Sequence, residues 1–186
     1  MISIFWRTTV AVSFYCAMLG CVDGVPPRIG TGGAEIDMQD AAVHADKILD
    51  ELFDEIRPEV RWTHGPTTSG SCDVTRRRAV MTIVSDERRG SFLGVVERFW
   101  RSGGYQMKAI NNDPDVPAIF AQTKDGFGVS LIVGGQGQIF FEVDTPCVER
   151  SEVAESTTKA TAPTYEGMEH IPRPNIRSPF WSAGAP

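Results

Sequence analysis

Histidine is scarce in this chain, with three residues in 186, and none of His44, His64 and His170 stands in a recognisable catalytic signature. Nucleophilic catalysis needs a base beside an activated hydroxyl or thiol, so the shortage leaves little on which such an enzyme could be built. Cys72 and Cys147 are isolated in the sequence and lack the paired spacing of zinc ligands, and no metal or cofactor is expected. Basic residues are outnumbered by acids, 18 to 24, for a formal charge of -6. That balance argues against a nucleic-acid partner and against a polybasic patch for a membrane surface. No heptad or apolar edge announces an oligomer, and the oligomeric state stays open. Long hydrophobic runs are missing too: the apolar stretch after Arg7 ends by Val22, short of the roughly 20 residues that cross a bilayer comfortably.

What that short stretch contains is informative. Arg7 is the only charge before Asp23, and Thr8 to Met18 supplies an apolar segment of the length, roughly 7 to 15 residues, found in secretory signals. Leu19-Gly20-Cys21 follows, a small residue immediately before a cysteine. This start resembles the signal of bacterial lipoproteins, and the resemblance covers only the first 21 residues. It implies that residues 1–20 are a signal peptide, that the Cys21 thiol carries a diacylglyceryl group, and that the protein sits on the extracytoplasmic face of a cell membrane. Retention of the segment as an uncleaved anchor and ordinary cleavage without lipidation are the alternatives. Residues 1–20 hold one Arg and no acid, so removing them takes the formal charge from -6 to -7.

On that reading Cys16 leaves with the signal and Cys21 is acylated, so Cys72 and Cys147 are the thiols of the exported body. An even pair in an oxidising compartment suggests a disulfide; two separate buried thiols are the alternative.

Residues 21–36 are rich in Gly and Pro without apolar periodicity, as expected of a flexible tether. Gly30-Thr31-Gly32-Gly33 lacks a preceding strand, and its third glycine is misplaced for a phosphate loop. Ala41, Ala45, Ile48, Leu49, Leu52 and Ile56 then recur at helical spacing, with Asp37 as cap and Pro58 as stop. Asp46, Asp50, Glu51, Asp54 and Glu55 read as its solvated face. A short strand over Glu59–His64 and a loop over Gly65–Ser71 lead to a longer strand, Val74–Val84, with Ala79, Met81 and Ile83 on one face. Arg76-Arg77-Arg78 at its entrance, with Arg88-Arg89 after its exit, reads as a charged strand end or an anion site. Asp86 is expected to cap a second helix striped with Phe92, Val95, Val96 and Phe99 and closed by Gly103-Gly104.

Strands are expected over Tyr105–Ile110, Ala118–Thr123, Phe127–Val133 and Gln138–Asp144, with Asp125-Gly126 as a hairpin signal. The pattern predicts an α+β fold over residues 37–150: an antiparallel meander with two amphipathic helices on one face, in the order helix, strand, strand, helix, strands. The bridge would staple opposite parts of the sheet. Residues 151–186 lose periodicity and gain Pro, Ser and Thr, so a disordered tail is expected, with Phe180-Trp181 exposed in it.

These features favour a non-enzymatic, membrane-tethered binding or accessory domain whose partner is a protein or a cell-wall component. The alternatives are an envelope hydrolase built on His64, Ser69, Ser71 and Asp73, and a purely structural envelope protein.

Overall fold

The computed structural model describes residues 36–163 and 171–186. The lipobox-like start, Cys16, Cys21, most of the tether and His170 lie outside the described residues. Among the described residues no helix is long and apolar enough to cross a membrane.

The architecture is the expected α+β one. Two helices, α1 (Met38–Glu55) and α2 (Asp86–Ser102), accompany an antiparallel sheet of β1 (Trp62–His64), β2 (Thr68–Ser69), β3 (Val74–Val80), β4 (Gln106–Asn111), β5 (Ala118–Gln122), β6 (Gly128–Val133) and β7 (Ile139–Asp144). The order across the sheet is β1-β3-β7-β6-β5-β4, with β2 paired to β3. Strands β4 to β7 form the meander, and β3 is internal, with Val74 and Val80 buried on one face and Ala79 on the other. The two-residue β2, inside the segment read as loop, is the one addition.

Alternation decides which side chains meet the helices. Val129, Leu131 and Val133 of β6 stand opposite Val143, Phe141 and Ile139 of β7, and all six are buried. Ala41, Ala45, Ile48, Leu49, Leu52 and Phe53 from α1 join Phe92, Val96 and Trp100 from α2 over them. Fully burying a large apolar side chain stabilises by roughly 1.5–3 kcal/mol, so this layer is the main source of stability. Between β5 and β6 the chain turns through Lys124, Asp125 and Gly126. Gly126 takes φ +96, which favours glycine, and the Phe127 amide donates to Thr123 Oγ1 at 2.9 Å.

Asp37 caps α1 as expected, accepting from the Asp40 amide at 2.9 Å. The second cap differs: α2 begins after Ser85, not at a capping Asp86. The Ser85 hydroxyl is drawn away by tertiary structure and donates to the Ala183 carbonyl at 2.6 Å. Asp86 sits in the first turn, where it pairs with Arg89.

Three expectations need larger corrections. The long strand stops at Val80, because Thr82 leaves the sheet to bridge Ile176. Cys72 and Cys147 are joined, with Cα atoms 4.8 Å apart, yet they do not staple opposite parts of the sheet. They lie at adjacent ends of the β3–β7 pair, whose register sets Thr75 against Asp144.

The third concerns the tail, which belongs to the same compact unit as the sheet. Residues 151–163 run along α1 and the edge of β1, where Ala162 donates its amide to the Trp62 carbonyl at 2.9 Å. Beyond the undescribed residues 164–170, the Asn175 and Ile176 amides donate to the Met81 carbonyl. Trp181 is 1% exposed, packs edge-on to Phe92 and donates its indole N–H to the Pro58 carbonyl at 2.6 Å. Phe180 remains partly exposed beneath the Arg88 guanidinium. A segment without periodicity is therefore ordered through backbone hydrogen bonds, scattered hydroxyls such as those of Thr158, Thr161 and Ser182, and an indole anchor, none of which leaves a repeating hydropathy signal.

Candidate functional site

Positive charge is concentrated at Arg76-Arg77-Arg78. In β3, alternation turns Val74, Arg76, Arg78 and Val80 to the helix side. Arg76 and Arg78 are consequently 2% and 1% exposed, not a charged strand end. Their partners come from the acidic row of α1: Arg76 Nε lies 3.3 Å from Asp46 Oδ2, and Arg78 Nη2 lies 2.5 Å from Asp50 Oδ1. Asp46 and Asp50, one helical turn apart, thus face inward, while Glu51, Asp54 and Glu55 stay exposed.

The tail closes over this cluster. Arg76 donates to Thr67 Oγ1 and to the Ala154 carbonyl, both at 2.7 Å. Thr158 Oγ1 donates to Asp50 Oδ2 at 3.2 Å. The Arg78 guanidinium rests on the Trp62 ring at 4.0 Å. Nothing here is open to an anion; the two arginines are committed to holding α1, β3 and the tail together.

The Arg76–Asp46 pair is close but poorly aligned, since Arg76 Nε makes no hydrogen bond. Burial of Asp46 therefore outweighs the attraction of Arg76, Ser156, Arg78 and His64 and holds its carboxyl above the usual 3.8. The folded state then binds this proton more tightly than the unfolded chain does. Its contribution is fully present below 3.8 and is lost as pH rises through the raised folded value. Asp46→Asn is expected to remove that component, so a plot of melting temperature against pH should be less favourable to the acid side than the wild-type plot.

The loop from His64 to Asp73 does not assemble a catalytic group. His64 pairs with Arg78 and Ser69 with Val74 on the same strand, four residues apart, or about 13 Å along β3. His64 Nε2 donates instead to the Thr158 carbonyl at 2.7 Å, and its ring stands edge-on to Trp62. Ser69, Ser71 and Asp73 are exposed. Cys72 and Cys147 are joined in the bridge.

Besides an opening of about 550 Å³ beside Ile36, Cys147, Val148 and Glu149, two clefts among the described residues bring several elements together. The larger, about 700 Å³, lies where the start of α2, the Gly135–Gly137 turn and the tail meet. Its described lining has no aromatic side chain, and its guanidinium is engaged, with Arg89 paired to Asp86 and donating to the Pro114 carbonyl. The smaller, about 390 Å³, lies between α1, the end of α2 and the β5–β6 turn. Sequence reasoning missed it, because its residues come from three separated segments. Its only local signals were the Gly103-Gly104 stop and the Asp125-Gly126 turn.

That groove has an apolar floor and a polar rim. Ile48, Phe99 and half-buried Tyr105 form the floor. Gly104, at φ +76, ends α2 in the left-handed conformation that glycine tolerates and delivers Tyr105 to the site. The Tyr105 ring lies beside Phe99 and near-parallel to Trp100. Burial, with help from Glu51 and Asp125, pushes its phenol above the usual 10.0, so it is a neutral hydroxyl at physiological pH. On the rim, His44 stacks on Phe127 at 4.6 Å and lies 3.3 Å from Asp125. Lys47 lies 3.9 Å from Glu51, and Lys124 and Thr123 complete the lining.

No protein-family model and no curated protein matches the chain. Among solved structures, a DUF4853 family protein from Actinomyces odontolyticus is 11% identical, covers 77% of this chain and 80% of its own, and superposes with a TM-score of 0.36. A likeness that distant carries no argument about this protein.

Proposed function

We propose that the protein is an exported bacterial lipoprotein, held at the extracytoplasmic face of a membrane through Cys21, whose folded domain binds a ligand and does not turn one over. The observation that carries this reading is the joined Cys72–Cys147 pair, because persistent disulfides belong to oxidising compartments. It leaves Cys16 and Cys21 as the remaining thiols, both inside the apolar start, and only Cys21 follows the Leu19-Gly20 step of a lipoprotein signal. Binding is favoured over hydrolysis because His64 is spent on a backbone carbonyl and stands far along the sheet from Ser69.

Metabolic labelling with a palmitate analogue tests the address. The native chain is expected to take up label and to fractionate with membranes, and Cys21→Ala to take up none. Equal labelling of both, or recovery of the intact chain from cytosol with its thiols reduced, would overturn the proposal.

A further inference from the structure

Resting on the reading of a binding domain, we infer that the groove between α1, the end of α2 and the β5–β6 turn is its ligand site and takes a neutral carbohydrate. Charge comes first. Lys47 and Lys124 contribute +2 and Glu51 and Asp125 contribute -2, so the lysines and carboxylates of the rim cancel. Opposite charges also meet locally, with Lys47 beside Glu51, and the His44 imidazole lies against Asp125. Such a rim has no net field to select an anion or a cation, yet keeps donors and acceptors of high hydrogen-bonding capacity.

Shape and the floor narrow the choice. A cavity of about 390 Å³ is at the small end for ligand sites, enough for a short saccharide. Tyr105 offers a flat apolar ring ending in a hydroxyl that stays protonated, a combination suited to a ligand with one apolar face and polar edges. A pyranose ring has that construction: its C–H bonds line one face, and every hydroxyl both donates and accepts. Hydroxyls of this kind can donate to Glu51 and Asp125 and accept from Lys124, satisfying both signs of the rim at once. A free peptide would place its own charges against pairs already neutralised.

Titration calorimetry on the full-length chain, in a detergent without a sugar headgroup, provides the test. The probes are a panel of neutral gluco-, galacto-, manno- and chito-tetrasaccharides, with triglycine as the zwitterionic comparison. At least one saccharide is expected to bind with Kd on the order of 10⁻⁵ to 10⁻³ M. Tyr105→Ala should weaken it about tenfold or more, and Tyr105→Phe by less, because the ring face is kept. Glu51→Gln and the exposed pair Lys124→Ala with Asp125→Ala lie at the surface, and they should weaken binding even if Tyr105→Ala fails to fold. Absence of binding across the panel, preference for triglycine, or saccharide binding unchanged in the Glu51 and Lys124/Asp125 variants would overturn the assignment. Palmitate labelling of the same preparation separates the two readings: label without saccharide binding removes only the ligand, and saccharide binding without label removes only the anchor.

Discussion

Opening the Cys72–Cys147 bridge is expected to lower the melting temperature by about 10 °C or more. The bond spans 75 positions, and in the chain-entropy model a loop of that length restricts the unfolded chain by about 4.5 kcal/mol. For a chain of this size each kcal/mol moves the midpoint by roughly 2–4 °C. The folded state gives little of this back, because the strands that carry the cysteines are already paired. Thr75 stands opposite Asp144, the Thr145 amide donates to the Val74 carbonyl and the Val148 amide to the Cys72 carbonyl. Removing the bond therefore frees the unfolded chain far more than it loosens the native one. Melting of the Cys72→Ser, Cys147→Ser variant against the oxidised native chain measures the effect. A shift under about 3 °C would mean that the unfolded chain keeps these segments together without the bond.

Asp50→Ala is expected to cost about 3–5 kcal/mol, the usual penalty for leaving a buried charge without its partner. Asp50 is itself only half-buried, so the loss arises at Arg78, whose side chain is 1% exposed. Burial pulls the Arg78 guanidinium below its usual value, and the hydrogen bond that it donates to Asp50 is the first of the effects that oppose this. With Asp50 gone, Arg78 keeps the Asp46 carbonyl at 3.4 Å and the faces of Trp62 and Phe53, while Thr158 loses its acceptor. Adding Arg78→Met should recover most of the loss, since an apolar side chain suits a slot between two aromatic rings. Urea midpoints at constant m for the single and double variants decide the matter. A double variant as unstable as Asp50→Ala would show that the cost lies in the helix or in Thr158 and not in the stranded guanidinium.

The inward arginines show where reading the chain alone falls short. Val74 and Val80 are six positions apart and share a strand face, so Arg76 and Arg78 between them must share it too. Asp46 and Asp50 likewise lie on the helical stripe that runs from Ala42 to Phe53. Both signals are present, but each is hidden by the expectation that charge seeks water. Only their meeting, two alternate arginines against two aspartates a turn apart, makes burial tolerable. The tail is hidden for another reason: its order comes from amides, carbonyls, scattered hydroxyls and a buried tryptophan, and none of these repeats.

From the string alone followed both helices, the β4–β7 meander, the α+β class and the pairing of Cys72 with Cys147. These rest on local periodicity, on turn residues whose backbone preferences act within a few positions, and on counting the thiols left after the apolar start. Tertiary structure alone decided that the tail closes the β1 edge, that the charged residues of α1 and β3 face each other, that His64 is separated from Ser69, and that Ile48, Phe99 and Tyr105 share a groove with the β5–β6 turn. Each of these depends on segments distant in sequence, and the energy that brings them together is a property of the pair in space that neither segment carries by itself.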